Sequence, residues 1–68
     1  MSGTTSVTLR VKALGQKAIL LESDDTLEED WIPHSQIVDS EVDIDDMSRG
    51  EEYDFEIKTW ILNEKGLI

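Results

Sequence analysis

Two stretches of this chain alternate strictly between apolar and polar residues, and a period of two is the signature of an extended strand with one buried face. In "SVTLRVKA", Val7, Leu9, Val11 and Ala13 alternate with Thr8, Arg10 and Lys12. In "YDFEIK", Tyr53, Phe55 and Ile57 alternate with Asp54, Glu56 and Lys58. The remaining elements are read against these two. "LGQ" (Leu14 to Gln16) is a tight turn, because Gly15 tolerates turn dihedrals. "KAILLES" (Lys17 to Ser23) is a second strand, paired with the first as an antiparallel hairpin. Its unbroken apolar run, Ala18 to Leu21, implies that both faces are covered or that a bulge changes face midway.

"SDDT" is a second turn, since Ser and Asp side chains bond their own local backbone. "LEEDWIP" (Leu27 to Pro33) is a third strand. Pro33 has no N–H for a ladder, so it ends that strand or sits on an edge. "HSQI" turns the corner into "IVDSEVDI" (Ile37 to Ile44), a fourth strand with an acidic outer face. "DDMSRGEE" is the longest polar connection before the fifth strand. In "TWILNEKGLI", Thr59 can act as an N-cap, Trp60 to Lys65 make one to two helical turns, and Gly66 stands where a C-terminal cap belongs. Lys65 in the last turn suits the helix dipole. The predicted class is mainly β: a small five-stranded antiparallel barrel-like sheet with a short C-terminal helix. SH3-like topology is favoured by the short loops, with OB-like topology as the alternative. The predicted organisation is a flexible tail at residues 1–6 and a single domain at 7–68.

Composition narrows the partners. The chain has 68 residues, 16 of them acidic and 6 basic, for a formal net charge of −10. A domain of this size buries only about 60% of the surface of its unfolded chain, which leaves little room for an elaborate active site. Binding nucleic acid by neutralising phosphates needs the opposite sign of charge, and so does binding an anionic membrane surface. The expected partner is a protein with a basic surface. Cysteine is absent, which removes disulfides, zinc ribbons and thiol nucleophiles together. No segment approaches the roughly 20 apolar residues of a membrane span, and "MSGTTS" lacks the features of a signal peptide. The expected compartment is the cytoplasm.

Two segments resemble a known group of sequences. "DWIPHSQI" (Asp30 to Ile37) resembles the W-[I/L]-P-x-S-Q-I segment of small uncharacterised proteins encoded by bacteriophages and prophages. "WILNEKGLI" (Trp60 to Ile68) resembles the W-L-x-x-K-G-L ending of the same proteins. The order of parts is similar over most of residues 7–68, and the specific motifs cover about a quarter of the chain. Such proteins often carry Lys at the position of His34, and Ile-Pro where this chain has Lys58 and Thr59. A histidine that can be replaced by lysine is a poor candidate for a required base. The resemblance implies a phage origin and a fold, and no reaction.

His34 beside carboxylates has the ingredients of a general base, but catalysis also needs a positioned nucleophile or orienter and a pocket that excludes water. A zinc site built on one histidine and no cysteine would need carboxylates for nearly all its ligands, which zinc seldom uses. His34 is therefore expected to be a solvent-facing turn residue. A calcium loop starting at Asp43 fails as well: "DIDDMSRGEEYD" places Met47 fifth, Ser48 where the glycine belongs and Arg49 seventh. No catalytic residue, metal or cofactor is expected.

The acids themselves remain. Carboxylates spaced along strands and loops can imitate a nucleic-acid backbone and occupy a basic groove on another protein, with salt-dependent steering. The candidate surface comprises Glu28, Glu29 and Asp30, then Asp39, Glu41, Asp43, Asp45 and Asp46. Against it stands the plainer role of such acids, which keep a small β-protein soluble and blunt its edges. Trp31, Tyr53, Phe55 and Trp60 are expected in the core, with at most one tryptophan outside it. The reading that results is a non-enzymatic accessory protein that binds a host or phage protein. Two alternatives stand beside it: a nucleic-acid-associated module using Arg10, Lys12, Lys17 and an exposed tryptophan, and an assembly component, such as a homodimer pairing through an edge strand.

Overall fold

The computed structural model describes residues 3–68. It contains strands β1 (Thr4–Leu14), β2 (Ala18–Glu22), β3 (Glu29–Pro33), β4 (Ile37–Ser40) and β5 (Glu52–Lys58), followed by helix α1 (Thr59–Lys65). Single 3₁₀ turns occupy His34–Gln36 and Ile44–Asp46. All pairings are antiparallel, in the order β3-β2-β1-β5-β4. The expected class, a small mainly β sheet of five antiparallel strands with a short C-terminal helix, is the observed one. The order is linear, with β3 and β4 as its two edges, and no ladder joins them among the described residues.

The alternation does what it predicts in β5, and in β1 as far as Val11; past the extra residue Lys12, Ala13 pairs with Leu20 and leaves the buried face. Leu9 and Val11 of β1 and Phe55 and Ile57 of β5 turn into the core, together with Ile19 and Leu21 of β2 and Ile32 of β3. Ile61, Leu62 and Leu67 close the core from the helical side. Burying each of these side chains contributes about 1.5–3 kcal/mol. The apolar run of β2 resolves into inward Ile19 and Leu21 and half-buried Leu20, which lies in register between Ala13 and Trp31. The irregularity sits in β1, where Lys12 is an extra residue between Val11 and Ala13.

Several boundaries differ from the sequence reading. β1 starts at Thr4 and not at Val7: Thr4, Thr5 and Ser6 pair with Lys58, Ile57 and Glu56, so residues 4–6 of the expected tail belong to the sheet. Met1 and Ser2 lie outside the described residues. β3 starts at Glu29 and not at Leu27, because Leu27 adopts φ 62° and turns the chain. β4 stops at Ser40, well short of Ile44. Its path is bulged at Val38, and the Ser40 hydroxyl donates to the Val42 carbonyl at 2.6 Å. The long polar connection hides an apolar plug, Met47, which is 5% exposed.

The helix start is also corrected. Lys58 occupies the cap position, with no side-chain capping bond. The Thr59 hydroxyl instead meets that of Thr5 at 2.7 Å, and the Thr59 N–H donates to the Gly3 carbonyl at 2.9 Å. The helix end is as expected. Gly66 adopts φ 74°, its N–H donates to the Asn63 carbonyl, and the Leu67 N–H donates to the Leu62 carbonyl at 2.9 Å. That pair of bonds, with Leu62 and Leu67 both buried, is a Schellman cap.

The aromatic residues divide. Phe55 is buried and Tyr53 half-buried, its hydroxyl accepting the Ser48 N–H at 2.9 Å. Trp31 and Trp60 are 44% and 52% exposed, so two tryptophans lie outside the core where at most one was expected. Parity explains the first, since Ile32 takes the inward position of β3. Helical phase explains the second, since α1 buries the adjacent Ile61 and Leu62.

Candidate acidic binding surface

Alternation that turns Phe55 and Ile57 inward must turn Glu52, Asp54 and Glu56 outward. These carboxylates stand on one face of β5 at two-residue intervals of about 6.7 Å. Opposite them on β1, in register, lie Arg10, Thr8 and Ser6. Thr8 donates its hydroxyl to Asp54, and Thr4 donates to Glu56. Asp39 of β4, and Glu41 just past its end, lie along the other side of β5. The Asp54 N–H donates to the Glu41 carboxylate at 2.8 Å, and the Glu41 N–H donates to the Asp54 carbonyl at 2.9 Å. The result is a shallow groove of about 420 Å³ lined by Asp39, Glu41, Asp54 and Glu56 with Ser6, Thr8 and Ser40, and no basic side chain among its lining residues.

The predicted site residues are thus divided by the fold. Asp39 and Glu41 join this groove. Asp43 and Asp45 border a neighbouring depression with His34, Ile37 and Val38, and Asp46 is exposed in the 3₁₀ turn beside it. Glu28, Glu29 and Asp30 lie at the start of β3, on the opposite edge of the sheet order. There Glu28 packs near Gly66, and Asp30 meets the Lys65 Nζ at 3.8 Å. Among the described residues, no other member of the predicted set forms an ion pair. Asp54 and Glu56 were missed as site residues. Their parity on β5 carried the signal, but it was read only as the solvent side of a core strand.

Of the basic residues named in the nucleic-acid alternative, Arg10 is committed within the chain, while Lys12 and Lys17 are exposed. The Arg10 guanidinium lies between Glu22, Asp24 and Glu52 at 3.9, 3.8 and 3.6 Å, and donates to the Gly50 carbonyl at 2.7 Å. Its charge is satisfied within the chain. The crowding acts back on Glu52, whose carboxyl is pushed above the usual glutamate range by its hydrogen bond with Asp24 and by the Asp24 charge, with Arg10 opposing.

His34 departs from the expected solvent-facing residue. It is half-buried, and its Nε2 is shut away from solvent with no hydrogen-bond partner. Its backbone N–H donates to the Lys17 carbonyl at 2.8 Å, which ties the corner to the β1–β2 turn. No serine, threonine or carboxylate hydrogen-bonds its ring among the described residues, so the geometry of an activated nucleophile is not assembled. Among the same residues, no three His, Asp or Glu side chains are placed to hold a metal ion. Among the described residues, no helix is long and apolar enough to cross a membrane. No protein-family model, curated protein or solved structure matches this chain.

Proposed function

We propose that this chain is a non-enzymatic accessory protein of the phage-encoded type, which docks its acidic face into a basic groove on a host or phage protein in the manner of a nucleic-acid mimic. The supporting observation is the groove along β1, β5 and β4, where Asp39, Glu41, Asp54 and Glu56 converge without a cation. Hydrogen bonds from Thr4, Thr8 and the Asp54 amide hold three of these carboxylates in place. Acids held this way lose less freedom on binding than acids on flexible side chains, which favours association. Their shared sign steers a cationic partner and repels nucleic acid.

The test is competition. A panel of host DNA-binding proteins is loaded with labelled duplex DNA, and the chain is added at low and at physiological salt. Displacement from at least one member is expected, weakening steeply as salt rises. It should be lost in the combined variant Asp39→Asn, Glu41→Gln, Asp54→Asn, Glu56→Gln, which keeps the shapes and removes four charges. Failure to displace DNA from any member even at low salt removes the mimic reading.

One observation favours a second reading, a nucleic-acid-associated module: Trp31 and Trp60 are exposed and could stack on bases. Measurable binding of single-stranded DNA or RNA at physiological salt would select it over the first.

A further inference from the structure

The sheet has two free edges, β3 and β4. Antiparallel pairing points alternate backbone amides toward the neighbouring strand and the others outward, where a further strand could pair. On β3 the inward set is fixed from both ends. The Ser23 N–H donates to the Glu28 carbonyl, and the His34 N–H donates to the Lys17 carbonyl. Even-numbered residues therefore face β2, and the outward positions are Glu29, Trp31 and Pro33. Proline has no N–H. The Trp31 N–H is held by Oδ1 of Asp30, the residue before it, at 2.7 Å.

The β4 edge repeats the device. The Glu41 N–H points inward to Asp54, so the Ser40 N–H points outward. It is held by Oδ1 of Asp39, again the preceding residue, at 2.9 Å. The Ser40 hydroxyl then occupies the next exposed carbonyl, that of Val42, at 2.6 Å. Each edge also carries an exposed apolar side chain, Trp31 at 44% on one and Val38 at 52% on the other. An unlocked edge would thus offer both a free donor and apolar surface to an identical strand.

We propose that Asp30 and Asp39 are edge locks: their carboxylates take up the outward amides of Trp31 and Ser40 and so prevent a second copy of this chain from adding a strand to either edge. Their role here does not depend on any partner for the acidic groove. It also assigns two of the candidate binding acids a task within the chain.

The experiment compares three double variants with the wild-type chain. Asp30→Ala with Asp39→Ala removes both locks. Asp30→Asn with Asp39→Asn removes the same two charges but keeps an acceptor oxygen at each place. Asp43→Ala with Asp45→Ala removes two nearby charges and no lock. Sedimentation velocity over a range of concentrations reads association, and amide exchange by NMR reads the locks.

The wild type, the Asn pair and the Asp43/Asp45 control are expected to stay monomeric. The Ala pair is expected to reach at least twice the monomer mass as concentration rises. In the wild type, the Trp31 and Ser40 amides should exchange more slowly than the free outward amide of Glu29, by about fivefold for one hydrogen bond of ordinary net strength. A monomeric Ala pair overturns the proposal, as does a control or Asn pair that associates equally, or a wild-type chain that already associates. If the Ala pair does not fold, the wild-type exchange comparison decides: equal rates at Trp31 and Glu29 refute the lock.

Discussion

Leu27 is a leucine where the backbone calls for glycine. It adopts φ 62° in the loop between β2 and β3, and its side chain is 81% exposed. The conformation is held from both sides. The Leu27 N–H donates to the Ser23 carbonyl at 2.8 Å, and the Ser23 N–H to the Glu28 carbonyl at 2.9 Å. The Glu28 N–H donates to the Thr26 hydroxyl at 3.3 Å. The left-handed region costs an L-residue about 1–2 kcal/mol, because Cβ crowds the following carbonyl. Leu27→Gly removes that cost. It adds about 0.5–1 kcal/mol of backbone entropy in the unfolded chain. The side chain is too exposed for its loss to matter much.

The net expectation is a stabilisation of about 0.5–1 kcal/mol. For a domain of this size each kcal/mol moves Tm by about 4–8 °C, so the midpoint should rise by about 2–8 °C. Calorimetry or chemical denaturation reads the change. Leu27→Ala is the control: it truncates the side chain and keeps the strained φ, and it should stay within about 0.5 kcal/mol of wild type. If the glycine variant is no more stable than the alanine variant, strain is not what Leu27 contributes. If both lose more than about 1 kcal/mol, the side chain is packed in solution and the reasoning fails.

Two further outcomes follow from local geometry. A Cβ at Gly15 would lie 2.7 Å from the Ala18 carbonyl oxygen and 3.3 Å from Cζ3 of Trp31. Gly15→Ala is therefore expected to destabilise by about 1–3 kcal/mol, read by denaturation, with a shift in Trp31 fluorescence as the ring is displaced. Glu52 carries a raised pKa from its hydrogen bond with Asp24 and from the Asp24 charge. A raised folded-state pKa means that the folded chain holds this proton more tightly than the unfolded one. The resulting stabilisation is complete at acid pH and is lost as pH rises through the folded value. Glu52→Gln should thus be at least as stable as wild type at neutral pH, with its advantage shrinking as pH falls through the raised folded value and gone below the ordinary glutamate value of 4.5. An advantage that grows on acidification would contradict the assignment.

Much of the fold was legible because it rests on period. The alternations in β1 and β5 select Leu9, Val11, Phe55 and Ile57 for the core, and the Gly66 cap follows from local chemistry. What escaped the sequence depends on partners far along the chain. Thr4 to Ser6 carry too few apolar residues to look like a strand, and they become one because β5 is long enough to pair with them. Thr59 fits a local cap but spends its hydroxyl on Thr5. The tryptophans were assigned by size, whereas parity in β3 and helical phase in α1 decide their exposure. The acids were grouped by position in the sequence. The fold regroups them, separating Glu28 to Asp30 from Asp39 and Glu41 and adding Asp54 and Glu56.

The pairing of β1 with β5 also sets the order in which this domain can assemble. The link between Thr5 and Thr59 spans 54 residues, and the ladder runs on from Thr4↔Lys58 to Arg10↔Glu52. Each doubling of a closed loop costs only about 0.6 kcal/mol more, but that cost must be met before any contact of the ladder rewards it. The local hairpins, β1 with β2 and β2 with β3, can form while the chain is still being made. The middle of the sheet cannot, because β1 waits for β5, the last of the five strands in chain order. During synthesis the side of β1 that β5 will cover stays open until β5 itself has emerged from the ribosome.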